Sequence, residues 1–210
     1  MSIAGKLASF VTRTSVNGLP PGALERARMV IASTIASAAM GADIGSSRII
    51  RELARERAGA PEATLWFDGG GALPVADAAR VNAVMSDAAA SDDSDLRSIA
   101  HIGTIVSTTA IAMAERTGTS GRDVLAAMVL GYEVAGRIDE ALTPGRGERG
   151  FHGSISTIFG GAVAAGALLD LTPGQMTQAI ALAATSIGGL MVAANTSVAR
   201  EYHAGLSAML

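Results

Sequence analysis

Residues 20–40, PPGALERARMVIASTIASAAM, decide the fold class of this chain. Apolar side chains recur at Leu24, Ala27, Ile31 and Ala38, a spacing that places them on one face of an α-helix. The prolines at the start suit the first helical turn, where the backbone N–H groups have no intrahelical acceptor. Stretches with the same period follow along the chain, so the sequence predicts an all-α protein.

The other helices are predicted from the same period and from their start and stop residues. One short extended segment, residues 63–67, interrupts the series. Neither a repeat nor a low-complexity linker divides the chain, so we expect residues 1–210 to form a single helical domain, a multi-helix bundle. The predicted helices span residues 7–16, 20–40, 48–59, 74–89, 102–116, 120–142, 154–169 and 172–187.

Composition excludes several classes of function. Aromatic residues make up 3% of the chain and the net charge is −3, which is unlike the basic, aromatic surface of a nucleic-acid-binding protein. The chain has no cysteine, which excludes disulfides and cysteine-ligated zinc. The first residues lack the long apolar core of a signal peptide, so we expect a cytoplasmic protein.

Two long stretches, residues 150–169 and 171–199, contain no Asp, Glu, Lys or Arg. Their length is that of a membrane span, and a membrane-associated helical protein is one interpretation. Both stretches are rich in Gly, Ser and Thr and lack flanking clusters of basic residues, which disfavours a membrane partner. We expect them to lie in the centre of a helical core.

The chain has three histidines, and each lies near a glycine, as in His101-Ile102-Gly103 and Phe151-His152-Gly153. The third, His203, precedes Gly205. Histidine is the side chain best suited to move protons near neutral pH, so the three are candidates for one acid–base site. The alternative is that each is an ordinary capping or core-edge histidine.

An acidic segment, Asp92-Asp93-Ser94-Asp95, precedes His101 by a few residues. Carboxylates close to a histidine orient its ring or raise its pKa, and they also bind hard cations. The alternative is a solvated loop that caps the next helix. The spacing does not match an EF-hand, so we predict no metal.

Arg200 lies three residues before His203. Its guanidinium could clamp a substrate carboxylate through paired hydrogen bonds. The alternative is a surface arginine at the start of a helix.

Six motifs occur in a familiar order, and together they resemble the MmgE/PrpD family, whose members include 2-methylcitrate dehydratase, cis-aconitate decarboxylase and iminodisuccinate epimerase. The resemblance covers essentially the whole chain. The matching stretches are Leu19-Pro20-Pro21 with Glu25-Arg26-Ala27, Ala76 to Asn82, Asp92-Asp93-Ser94 with His101-Ile102-Gly103, Gly131-Tyr132-Glu133-Val134, Gly150-Phe151-His152, and Arg200 to Gly205.

The resemblance implies a helical domain that bears much of the active site, usually in a homodimer, with no metal or organic cofactor. It also implies chemistry next to a carboxylate: gain or loss of water, loss of CO₂, or inversion at an acidic carbon. By position, His101 and His152 resemble the family's two active-site histidines in this domain. The segment Asp92-Asp93-Ser94 resembles its Asp-Asp-Thr segment.

This chain departs from the family in three respects. Ala90 stands where the family usually has Asp, and Arg200 where it usually has Lys. Arginine does not deliver a proton near neutral pH, so Arg200 is expected to act as a carboxylate clamp. Family members are also longer, with a second, mixed α/β domain that closes over the substrate as a lid.

We therefore predict a cofactor-independent acid–base enzyme acting on a small di- or tricarboxylic acid. One of His101 and His152 takes a proton next to a carboxylate and the other protonates the leaving group, with Asp93 tuning a histidine. Substrate contacts are expected from Arg200 and from Asp92, Ser94 and His203. The alternative is a truncated or split helical module, inactive alone, that binds a ligand or assembles with a separate lid-domain chain.

Overall fold

The computed structural model describes residues 1–210, apart from the side chain of Ser154. The described chain is almost entirely helical, which confirms the all-α prediction. The helices are α1 (Ile3–Arg13), α2 (Pro21–Gly41), α3 (Gly45–Arg57), α4 (Val75–Ala88), α5 (Ile102–Thr117), α6 (Gly121–Leu142), α7 (Ile158–Leu168), α8 (Pro173–Thr185), α9 (Met191–Thr196) and α10 (Ala199–Met209).

Helix α5 is the centre of the bundle. Its side chains are buried without a break from Ile102 to Ala110, and α2, α4, α6, α7 and α10 all pack against it. The hydroxyls on this helix find partners inside the core: Thr108 donates to the Thr104 carbonyl over 2.8 Å, and Thr34 donates to Ser107 over 3.3 Å. A helix buried on every side needs no polar face, so α5 shows little amphipathic pattern.

The first uncharged stretch behaves as predicted and the second does not. Helix α7 is largely buried, and its backbone approaches α6 so closely that a Cβ on Gly131 would lie 2.5 Å from the Gly160 carbonyl oxygen. Much of residues 171–199 is exposed, including Leu182 and Val192. In the part of the chain that the structure describes, no single helix is long and apolar enough to cross a membrane; α2 and α3 pass that test only as a pair bent by 93°.

Several elements differ from their predicted bounds. Helix α1 begins at Ile3 rather than residue 7, because the Ser2 hydroxyl accepts the Gly5 N–H over 3.1 Å and caps the first turn. The extended segment near residue 63 is one strand of a small antiparallel hairpin, β1 (Ala63–Thr64) with β2 (Ala72–Leu73), and β2 was not predicted. Helices α9 and α10 were not predicted either.

The C-terminal end of α4 meets the N-terminal ends of α5 and α10. Helix α10 packs along α4, with Gly205 so close to Val84 that a Cβ on the glycine would lie 2.6 Å from that side chain. Two connections reach the same end of the bundle: residues 89–101, between α4 and α5, and residues 143–157, between α6 and α7. The fold thus gathers short segments that are distant in sequence.

Candidate acid–base site

The connection between α4 and α5 folds into a tight turn that brings the acidic segment back to the start of α5. Asp95 N–H donates to the Ala100 carbonyl over 2.9 Å, and the Ile99 N–H donates to the Asp95 carbonyl over 2.7 Å. The Asp95 carboxylate also holds Arg97, with Nη2 to Oδ2 at 2.6 Å, which lowers the pKa of Asp95. The Asp95 carboxylate therefore stabilises the loop itself, whereas Asp92 and Asp93 face the helical bundle.

Asp92 holds His101. Its Oδ1 lies 3.1 Å from His101 Nδ1, and its Oδ2 accepts the Thr104 hydroxyl over 2.6 Å. The Thr104 hydroxyl lies 3.0 Å from that of Ser86, so the carboxylate is fixed from behind. The hydrogen bond that the Asp92 carboxylate accepts from the His101 ring raises the pKa of His101, because it favours the imidazolium form.

Asp93 is hydrogen-bonded to helix α6. Its Oδ2 accepts the Tyr132 hydroxyl over 2.8 Å, and a Cβ on Gly103 would lie 2.1 Å from its Oδ1. Burial raises the pKa of Asp93 to about 6, although the Tyr132 hydrogen bond favours the ionised form. Asp93 thus joins α6 to the start of α5 beside the site, and only a glycine fits at position 103.

His152 lies in the connection between α6 and α7, tied to the segment before α9. Its backbone N–H donates to the Gly189 carbonyl over 3.0 Å, and Phe151 forms an isolated antiparallel bridge with Leu190. The His152 and His203 rings have centroids 6.4 Å apart. Burial lowers the pKa of His152 to about 4, and His203, His101, Arg146 and Arg200 add to that shift.

A buried ion pair anchors the connection that carries His152. Arg146 Nη1 lies 2.8 Å from Asp139 Oδ2, with both side chains almost completely buried. The guanidinium also donates to the Ser98 carbonyl over 2.9 Å, which joins this connection to the one before His101. Ser156 donates to the other oxygen of Asp139. Asp139 and Arg146 therefore set where the two histidine-bearing connections stand relative to each other.

Arg200 is already paired. Its Nε donates to Asp87 Oδ2 over 2.9 Å and its Nη2 donates to the Asp87 backbone carbonyl over 2.7 Å. Burial raises the pKa of Asp87 to about 6, with Asp92 adding to the rise and Arg200 opposing it. A clamp for a substrate carboxylate would have to use the part of the guanidinium that Asp87 leaves unbound.

The sequence-predicted residues fall into two groups. Five of them converge at one end of the bundle: His101, Asp92, His152, His203 and Arg200. Asp93 packs next to this group. Ser94 is exposed, and among the described residues it makes no hydrogen bond. The sequence analysis did not assign roles to Asp87, Thr104, Tyr132, Asp139 or Arg146.

Only one grouping among the described side chains has donor atoms close enough to share a cation. Ligand atoms of Asp87, Asp92 and His101 lie within 4.8 Å of one another. Arg200 already places a positive charge on Asp87, and Asp92 is engaged by His101 and Thr104. These contacts do not favour a cation there, and the absence of a metal and of an organic cofactor stays a prediction.

The two histidines lie in environments that favour different protonation states. His101 beside a carboxylate favours the imidazolium form, and His152 in a partly buried position among cations favours the neutral form. A pair of titratable groups whose environments drive their pKa values apart can supply an acid and a base at one pH.

Comparison with known proteins places this arrangement in a family. The model of the MmgE/PrpD N-terminal domain matches residues 5–210. Cis-aconitate decarboxylase from Aspergillus terreus is 30% identical over 224 aligned positions, which cover 98% of this chain and 43% of that protein. The protein of the same name from A. terreus strain NIH 2624 / FGSC A1156 matches with the same figures. The chain therefore spans less than half the length of these relatives, and it belongs to the MmgE/PrpD family through that family's N-terminal helical domain.

Proposed function

We propose that this protein acts next to a carboxylate of a small di- or tricarboxylic acid by acid–base chemistry without a cofactor. The observation that carries the proposal is the opposite charge preference of His101 and His152 within one site. The family relation to a decarboxylase supports the same class of chemistry. Gain or loss of water, loss of CO₂, and inversion at an acidic carbon are the reactions that such a site serves.

His152 is the base in this proposal. At neutral pH it is unprotonated, so it can accept a proton from the carbon next to a substrate carboxylate. The C–H electron pair moves into that carboxylate, and positive charge from Arg200 stabilises the enolate-like intermediate. The pKa of His152 has to rise as the intermediate forms, and the new negative charge beside it supplies that rise.

His101 is the acid. The Asp92 carboxylate favours the protonated form of His101, which can deliver a proton to a leaving hydroxyl that departs as water. In an inversion, His101 instead delivers its proton to the carbon from the opposite side, and the proton taken from carbon stays on His152 until it exchanges with solvent. In a decarboxylation the C–C bond breaks instead, the electron pair passes into a conjugated acceptor, and the proton from His101 quenches the carbanion.

Deuterium exchange tests the proposal directly. The full-length protein would be incubated in D₂O with cis-aconitate, citrate and 2-methylcitrate, and the products followed by NMR. We expect deuterium at a carbon next to a carboxylate in at least one of them, together with product or, for an inversion, the epimer. His152→Gln should abolish the exchange. Exchange that persists in that variant would remove His152 as the base, and no exchange with any acid tried would count against the proposal.

A second candidate function is a helical module that works only when another polypeptide segment covers the site. Exposed apolar side chains favour it, because Ile99, Phe151 and Val198 lie in the segments that carry the site, with Ile99 72% exposed. Two cavities, of about 580 and 330 Å³, are lined by other parts of the bundle and contain none of the site histidines. Activity of residues 1–210 expressed alone would exclude this candidate.

A further inference from the structure

Asp87 is a buried acidic group of the site, and it is paired with Arg200. The Asp87 side chain is 4% exposed and that of Arg200 is 30% exposed, so the pair is buried on the Asp87 side and part of the Arg200 side chain stays accessible. Two contacts to one residue, at 2.9 and 2.7 Å, hold the Nε and Nη2 edge. No described residue accepts a hydrogen bond from Nη1.

The two contacts need an arginine. A guanidinium is a planar fork, so it can reach a carboxylate oxygen and a backbone carbonyl at once, whereas an ammonium is a point charge on a flexible stem. Asp87 ends the buried face of α4, where Val84 and Asp87 both pack toward α10. Helix α10 in turn begins at Ala199, so Arg200 is held in the first turn of a helix that is itself packed on α4.

The charged groups around Asp87 lie mainly on the side of Asp87 that faces the candidate site. From α10 it faces Arg200, and from the connection before α5 it faces Asp92 and His101. Helix α2 supplies only the Ser37 hydroxyl, which donates to the Ser86 carbonyl over 2.7 Å. Helix α3 supplies Arg51, which reaches the sulfur of Met85 rather than Asp87.

We propose that Asp87 is a positioning residue: it fixes the guanidinium of Arg200 so that the Nη1 group is presented to a substrate carboxylate beside His152. The inference rests on the proposed function for the identity of the ligand, but not for the orientation of Arg200. Arg200 contributes to the low pKa of His152, so the guanidinium lies within electrostatic range of that ring. A substrate carboxylate bound at Nη1 would therefore hold its neighbouring carbon close to the base.

The test uses propane-1,2,3-tricarboxylate as a non-reacting probe, bound to the full-length protein and measured by calorimetry. Asp87→Asn should weaken binding about tenfold, because the charged partner that orients Arg200 is lost. The matched control is Asp77→Asn, the same substitution on the same helix, at a surface ion pair with Arg57. Asp77→Asn should change the dissociation constant by less than about twofold.

A double substitution separates positioning from a merely structural effect. In an Arg200→Gln background, Asp87→Asn should cause no further loss of binding, because the two residues act through one contact. Arg200→Lys should weaken binding although it keeps the charge. Equal binding by the wild type and Asp87→Asn, or an Asp87→Asn effect that persists without Arg200, would overturn the inference.

NMR of the arginine Nε–H group keeps this inference separate from the proposed function. The Arg200 signal is assigned by its loss in Arg200→Gln. We expect a sharp, slowly exchanging signal in the wild type and in Asp77→Asn, and a shifted, fast-exchanging one in Asp87→Asn. If the wild type bound no carboxylate, the proposed function would fail while this signal still tested Asp87. An unchanged Arg200 signal in Asp87→Asn would overturn the positioning role.

Discussion

The connection before α5 and the connection before α7 each bring one histidine to the same site, but they surround it differently. His101 stands against Asp92, and the carboxylate hydrogen bond raises its pKa. Burial lowers the pKa of His152, and Arg146, which is paired with the buried Asp139, adds to that shift. The two environments therefore favour opposite charge states, the imidazolium form of His101 and the neutral form of His152.

Among the variants that test this contrast, removal of the proposed base, His152, should have the largest effect on activity. His152→Gln should lower kcat/KM by at least about 10³-fold, since general base catalysis is lost. The control Glu148→Gln, at an exposed position in the same connection, should keep activity within about twofold. Steady-state kinetics measure both, and far-ultraviolet circular dichroism verifies that the helices persist. Substantial activity in His152→Gln would assign the base elsewhere.

Breaking the buried Asp139–Arg146 ion pair should destabilise the connection that carries His152 and its link, through the Ser98 carbonyl, to the connection before His101. Asp139→Asn leaves Arg146 buried without its counter-charge, so the free energy of unfolding should fall by about 3 kcal/mol. The exposed pair of Arg28 with Glu25 provides the comparison, and Glu25→Gln should cost less than about 0.5 kcal/mol. Urea denaturation measures both. Equal losses in the two variants would contradict the structural role of Asp139.

Removing the carboxylate at His101 should make the two histidines more alike. Asp92→Asn should lower kcat/KM by about 10- to 100-fold, because His101 loses the group that orients it and favours its protonated form. The pKa of His101 should fall, so the basic limb of the pH–rate profile should move to lower pH. The control Asp43→Asn, at an exposed turn, should leave the profile in place. A basic limb that did not move in Asp92→Asn would mean that His101 is not the acid.

The smallest expected effect is a change of the free energy of unfolding with pH. The pKa of His152 is lowered in the folded state to about 4 from 6.5, so its contribution is present above pH 6.5 and is lost as the pH falls to 4. Asp87 and Asp93 act in the opposite direction, since their raised pKa values favour the folded state at low pH.

The difference between the wild type and His152→Gln isolates the His152 contribution. Between pH 6.5 and pH 4 the wild type should lose about 1–2 kcal/mol more than the variant, with partial exposure of the ring limiting the size. Thermal or urea unfolding across this range measures it. Parallel curves for the two proteins would show that the His152 ring stays solvated in the folded state.

The fold could be predicted where the apolar period is long. Helices α2, α4, α5 and α6 lie within two residues of their predicted bounds, because each has a clear start or stop residue. Helix α10 was missed because Arg200, Glu201 and His203 interrupt any apolar stripe, and its burial comes from small residues such as Gly205 that pack against α4. Small-residue packing leaves a weak hydrophobic pattern.

The histidines of the site were predictable and their partners were less so. His101, His152 and Asp92 stand next to glycines or acidic neighbours that mark a site, and the structure brings them together. Asp87 was missed although a single charged residue between Arg80 and Asp92 was a usable signal. The Asp139–Arg146 pair lies on a helix and in a loop whose approach depends on tertiary structure, and no local pattern reports that contact.

The backbone link between His152 and Gly189 has a consequence for engineering the site. Residues 150–153 and 188–191 pair with each other, and the second segment leads through the short helix α9 to α10, which carries both Arg200 and His203. The backbone pairing thus couples the position of the proposed base, His152, to that of the proposed clamp, Arg200. Chimeras that exchange only one of these segments with a relative should misalign both groups, whereas exchange of both segments together should preserve their spacing and transfer the donor's substrate preference.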